Sequence, residues 1–107
     1  MKFSVVLLET TERDLFDIHQ YIEQNDSSES ADRVLDGLER VIAGLDDMPE
    51  RGHYPPELER IGIRNYREIH CKPYRIMYAV EADTVVVYCV LDGRRDMQTL
   101  LKQRVLR

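Results

Sequence analysis

The chain has 107 residues, 43% of them hydrophobic, and a formal net charge of −5. That length suits one domain with one core and excludes two. The longest apolar run, Val85 to Leu91, is far short of the roughly 20 residues a spanning helix needs. The short apolar run after Met1 has acidic residues behind it and no small-residue cleavage site, so the expected compartment is the cytoplasm. Cys71 and Cys89 form no Cys-x-x-Cys pair and cannot fill a four-ligand zinc set, so neither a metal nor any other cofactor is expected.

The net charge hides a split. Residues 1–60 carry 6 Lys/Arg against 15 Asp/Glu, and residues 61–107 carry 9 against 5. An acidic half of −9 and a basic half of +4 suggest a solvated face and a working face.

In chain order, Phe3–Leu8 is apolar and β-branched and reads as a strand covered on both sides. Thr10 or Thr11 then caps a helix, with Asp14 at capping-box spacing from Thr11. Leu15, Ile18 and Ile22, widened by Phe16 and Tyr21, give that helix an apolar stripe up to about Asn25. Asp26-Ser27-Ser28-Glu29 caps a second helix, whose apolar positions Ala31, Val34, Leu35, Leu38, Val41, Ile42 and Leu45 carry the strongest helical period in the chain. Gly37 and Gly44 interrupt it, either for a close backbone approach or as tolerated weak spots. Pro49, Gly52, Pro55 and Pro56 make Pro49–Glu57 a structured loop.

The second half reads as sheet. Asn65–Cys71 is one strand and Tyr74–Glu81 the next, with Tyr74, Ile76, Tyr78 and Val80 on one face and Arg75, Met77 and Ala79 on the other. Thr84–Leu91 is almost wholly apolar and therefore central. Asp92-Gly93 turns the chain out, past Arg94 and Arg95, into a short helix with Met97, Leu100 and Leu101 on one side. The order β-α-α-β-β-β-α predicts an α+β domain. Its helical hairpin packs on a mostly antiparallel four-stranded sheet, followed by a short C-terminal helix.

Three stretches carry a resemblance. Arg13-Asp14-Leu15-Phe16-Asp17-Ile18-His19-Gln20-Tyr21-Ile22 is the first, and Leu45 with Pro49, Arg51 and Gly52 the second. The third joins Tyr66-Arg67-Glu68, Tyr74-Arg75-Ile76-Met77-Tyr78 and Val90-Leu91-Asp92-Gly93-Arg94-Arg95-Asp96. In this order they resemble the RelE/ParE superfamily of type II toxin–antitoxin systems, spanning nearly the whole chain, and look closer to the ParE branch. The resemblance implies a single toxin domain over 1–107, a cognate antitoxin partner in a hetero-oligomer, and a part in plasmid stabilization. A ParE-like member inhibits DNA gyrase and is not an enzyme. A RelE-like member is a ribosome-dependent mRNA endoribonuclease. The acidic balance and the two lysines after residue 60, Lys72 and Lys102, favour the former, because a protein working within dense phosphate gains from Lys/Arg contacts.

RNA cleavage by 2′-OH attack needs a base, a cation and an acid. Arg67, His70, Arg75, Tyr78 and Arg94 are the candidates if the chain is a nuclease. His70 is the one plausible base, since His19 and His53 read as surface residues. For binding, Tyr66, Arg67, Arg75, Arg94 and Arg95 are the expected target contacts, because Tyr and Arg dominate interface hot spots. Tyr74 and Tyr88 lie on the same strands. Phe16, Tyr21 and Leu58 are the expected antitoxin contacts.

Overall fold

The computed structural model describes residues 2–106. Strand β1 spans Ser4–Leu7, helix α1 Glu9–Asn25 and helix α2 Ser28–Ala43. Two 3-10 turns, Gly44–Asp46 and Pro49–Arg51, and a one-turn helix α3, Pro56–Glu59, lead into the sheet. Strands β2 (Arg67–Cys71), β3 (Tyr74–Glu81) and β4 (Thr84–Asp92) follow, and helix α4 spans Met97–Val105. The expected α+β architecture is the one found. Additional are the two 3-10 turns and α3, each too short for a periodic signal.

The strand order is β1-β4-β3-β2. Strands β2, β3 and β4 form an antiparallel meander, and β1 pairs parallel to β4 with Ser4 opposite Thr84. The apolar run of β4 is explained by this place: β3 flanks it throughout, β1 flanks it as far as Val87, and both faces are covered. Leu15, Leu38, Ile42, Leu45, Ile76, Tyr78, Val85, Val87 and Val90 form the core under the α1–α2 hairpin. Leu58, Met77, Cys89, Leu91, Met97, Leu101 and Val105 form a second core on the other face, under α3 and α4. Each fully buried Leu or Val contributes about 1.5–3 kcal/mol. The alternation expected for β3 holds along its length. In β4, two residues, Tyr88 and Cys89, point to the α4 side in succession. The register slips there between Met77 opposite Cys89 and Tyr78 opposite Val87, a bulge that lets one apolar run serve both cores.

The start of α1 differs from expectation. The helix begins at Glu9, behind Leu8, which offers no side-chain cap. Thr11 and Asp14 are not a capping box. Thr11 is buried, and its hydroxyl donates to the Val87 carbonyl at 2.7 Å. The Asp14 carboxylate accepts the Val90 N–H at 3.0 Å. Strand β1 ends opposite Val87, so beyond it the edge of β4 needs partners. Two polar side chains of α1 supply them. The expected cap of α2 is present, Ser27 accepting from Ser30 N–H at 3.0 Å.

Of the two helix glycines, Gly37 meets only the Cys71 sulfur, 3.8 Å from where a Cβ would stand, and Gly44 only the Arg51 guanidinium. No backbone approaches either one.

Candidate interaction surface

Cross-strand register decides which of the expected site residues can meet. Arg67 pairs with Tyr78, whereas His70 pairs with Arg75 and Glu68 with Met77. Arg67 therefore shares the face of the α1–α2 core. Arg75, Glu68 and His70 share the opposite face, toward α3 and α4. The arginines expected to converge are on two sides of the sheet.

Arg75 is taken up inside the protein. Its Nε and Nη2 donate to the two oxygens of Glu68 at 2.6 and 2.9 Å, and its Nη1 and Nη2 donate to Glu57 at 2.9 and 2.7 Å. Only 13% of its side chain is exposed. The Glu57 hydrogen bonds, then those of Glu68, hold its charge more firmly than usual. The guanidinium in turn holds the Glu57 carboxyl below its ordinary range. Its aliphatic stem passes under Gly93, where a Cβ would come within 2.8 Å of Arg75 Cδ.

Arg67 donates to the carbonyls of Glu50 and Gly52 at 3.1 and 2.8 Å and stacks over the Tyr54 ring at 4.9 Å. It pins the Pro-rich loop. Tyr78 is fully buried; its hydroxyl accepts the Gly52 N–H at 3.1 Å and donates to the Pro49 carbonyl. Burial pushes its phenol pKa up. Tyr66 donates to the Val105 carbonyl at 3.1 Å and packs edge-on to Tyr88. Tyr88, pushed up to about 12 by burial and then by its hydrogen bond to Glu81, donates to that carboxylate at 3.0 Å. His70 stands 3.1 Å from Glu68 Oε1.

Arg94 and Arg95 remain on the surface. Arg94 forms a fork to Asp92 at 2.9 and 2.6 Å. The two arginines line an open recess together with Asp17, Ile18, Tyr21, Tyr74 and Asp92. This recess joins an expected antitoxin contact, Tyr21, to two expected target contacts. Phe16 and Tyr21 are 64% and 67% exposed on α1. Leu58 has no exposed surface and lies in the core beneath α4. The expected antitoxin contact Leu58 thus packs within this chain.

The basic half of the sequence is thus not a continuous basic face. Arg75 and Arg104 of that half neutralise Glu57 and Asp14 of the acidic half. The residue that sequence reasoning missed is Glu68, 1% exposed and touched by Arg75, His53 and His70. Its alternation with His70 along β2 was the available signal.

A helical hairpin on a four-stranded sheet, with a short helix closing the other face, is a fold shared with solved chains of two toxin–antitoxin systems. A chain of the chromosomal ParDE toxin–antitoxin system of P. aeruginosa superposes with a TM-score of 0.70 at 13% identity, over 83% of this chain and 94% of that one. A chain of the RelBE2 toxin–antitoxin complex of Mycobacterium tuberculosis gives 0.60 at 20% identity, over 84% and 96%. No curated protein sequence matches. The family described as ParE toxin of type II toxin-antitoxin system, parDE, matches residues 5–97, and the chain belongs to that family. It is a type II toxin of the ParE/RelE superfamily. Among the described residues no helix is long and apolar enough to cross a membrane.

Proposed function

We propose that the chain acts in the cytoplasm by binding, as a toxin that inhibits DNA gyrase and is neutralised by a cognate antitoxin. The observation that carries this reading is how Arg75 and Tyr78 are used. A nuclease needs a cation free to meet phosphate and a proton-transfer group that reaches solvent. Two of the expected nuclease groups are taken up here: Arg75 is enclosed by two carboxylates and the Tyr78 phenol is buried on backbone groups. Arg94 and Arg95, beside Tyr74 and Tyr21, offer Tyr/Arg chemistry on an open surface, which suits a protein interface.

The antitoxin reading rests on α1. Phe16 and Tyr21 are large, exposed and on one helix, and an amphipathic partner segment laid along them would also cover the mouth of the Arg94–Arg95 recess. Neutralisation would then be occlusion.

The test is a gyrase supercoiling reaction with purified toxin in several-fold excess. Inhibition is expected, and the Arg94→Glu, Arg95→Glu double variant should need at least ~10-fold more protein for the same effect. Unimpaired supercoiling, with new 5′ ends on ribosome-bound message in primer extension, would overturn the proposal in favour of the nuclease reading.

A further inference from the structure

Glu68 is buried to 1% exposure, yet each of its oxygens faces an imidazole as well as the Arg75 fork. His53 Nε2 stands 3.1 Å from Oε2 and His70 Nε2 3.1 Å from Oε1. The two rings lie edge to face with centroids 5.2 Å apart. All three ligating atoms fall within 4.8 Å of one another. Donors 2.0–2.2 Å from one tetrahedral ion sit roughly 3.3–3.5 Å apart. The two N···O separations, each to a different Glu68 oxygen, are near that value, and the widest donor pair has to close from at most 4.8 Å. The imidazoles, 60% and 42% exposed, are free to close the remaining gap.

Charge points the same way. Glu57 and Glu68 bring two carboxylates to the one Arg75 guanidinium, with Arg60 a further cation acting on Glu57 and not on the buried Glu68. A buried charge without a partner is costly. Arg51 lines the same recess as His53, Glu68 and His70, but its guanidinium turns back to Gly44. Arg67 is spent on the Glu50 and Gly52 carbonyls. The Arg75 fork fixes the orientation of the Glu68 carboxylate, as outer partners of metal-binding carboxylates do.

We infer that His53, Glu68 and His70 form a binding site for a divalent transition-metal ion of the kind imidazole favours, zinc foremost. Two imidazoles and one carboxylate are a recurring donor set for such ions, with water completing the shell on the solvent side. The ion's place is structural. His53 comes from the Pro-rich loop, and Glu68 and His70 come from the edge strand β2. His53 and Glu68 already exchange two backbone hydrogen bonds, of 3.2 and 2.7 Å. A bound ion would clip the loop to the sheet at that bridge, independently of how the toxin meets its target.

The test uses the full, untagged chain, passed over a chelating resin and titrated with zinc chloride at neutral pH by calorimetry, with thermal melting in parallel. One equivalent should bind and raise Tm. His53→Ala and His70→Ala should each weaken binding at least ~10-fold and remove most of the Tm rise. His19→Ala, whose ring pairs with Asp32 elsewhere, and Cys71→Ser should bind as the unaltered chain does. No saturable binding up to about 100 µM zinc, or binding that the His53 and His70 variants leave intact, overturns the inference.

Discussion

Arg104 closes on Asp14 through two hydrogen bonds, Nη1 to Oδ1 at 2.9 Å and Nη2 to Oδ2 at 2.8 Å, across ninety positions of sequence. The same carboxylate accepts the Val90 N–H, so one side chain joins α1, β4 and α4. Asp14→Ala orphans a backbone donor and a guanidinium together and should cost about 2–3 kcal/mol, whereas Arg104→Ala should cost about 1 kcal/mol. In urea denaturation the double variant should fall short of the sum by about 1 kcal/mol, because the two share one interaction.

Tyr78→Phe removes the partner of Gly52 N–H and of the Pro49 carbonyl while leaving the ring in the core. A loss of about 1–3 kcal/mol is expected. Below its melting temperature the variant should still inhibit gyrase, since the hydroxyl is given a structural place and no chemical step. Cleavage of ribosome-bound message by the unaltered chain that this variant loses, with stability unchanged, would point to catalysis.

Gly52 and Gly37 should respond to alanine with opposite signs. A Cβ at Gly52 would collide with the Tyr78 hydroxyl and lie 2.7 Å from the Glu68 carbonyl oxygen. Neither can withdraw, so a cost of about 1–3 kcal/mol is expected. At Gly37 the new methyl would rest 3.8 Å from Cys71 Sγ, inside a helix where alanine is favoured by about 0.5–1 kcal/mol. Melting curves of the two variants should move in opposite directions.

Acid should loosen the Arg75 cluster. The hydrogen bonds from Arg75 hold the Glu57 carboxyl below its ordinary value of 4.5, so near that pH the unfolded chain binds more protons than the folded one. The stabilisation is fully present above about 4.5 and is lost as pH falls through the lower folded value. Glu57→Gln should be less stable at neutral pH and lose less on acidification. Parallel stability curves for the two proteins below pH 4.5 would contradict this assignment.

Phe16→Asp places a charge on the exposed side of α1 without touching either core. Antitoxin capture in a pull-down or by surface plasmon resonance should weaken at least ~10-fold, with gyrase inhibition and Tm unchanged. Intact binding would move the antitoxin off this face.

Elements governed by local period were legible in the sequence. The α2 stripe, the β3 alternation and the Ser27 cap all occupy their expected positions, because each is set by neighbours within one or two turns. What escaped depends on distant partners. Thr11 and Asp14 have cap-like spacing, but β4 has an open edge beside them, and burial there offers more than a cap does. The arginines read as free because a sequence does not display that Glu57 stands beside Arg75 or Asp14 beside Arg104. The bulge at Tyr88 was hidden by a run in which every residue is apolar. His70 was visible as a strand histidine. His53 joined it only through the fold of a loop.

The parallel pairing of β1 with β4 has a consequence for synthesis. Ser4 leaves the ribosome well before its ladder partner Thr84, eighty residues behind it. Such a non-local pairing cannot form until the intervening chain exists. A nascent chain halted at β3 has its first strand without a neighbour and two apolar layers without their central strand. The recess lined by Arg94 and Arg95, just past β4, is therefore assembled only after β4 itself has been made.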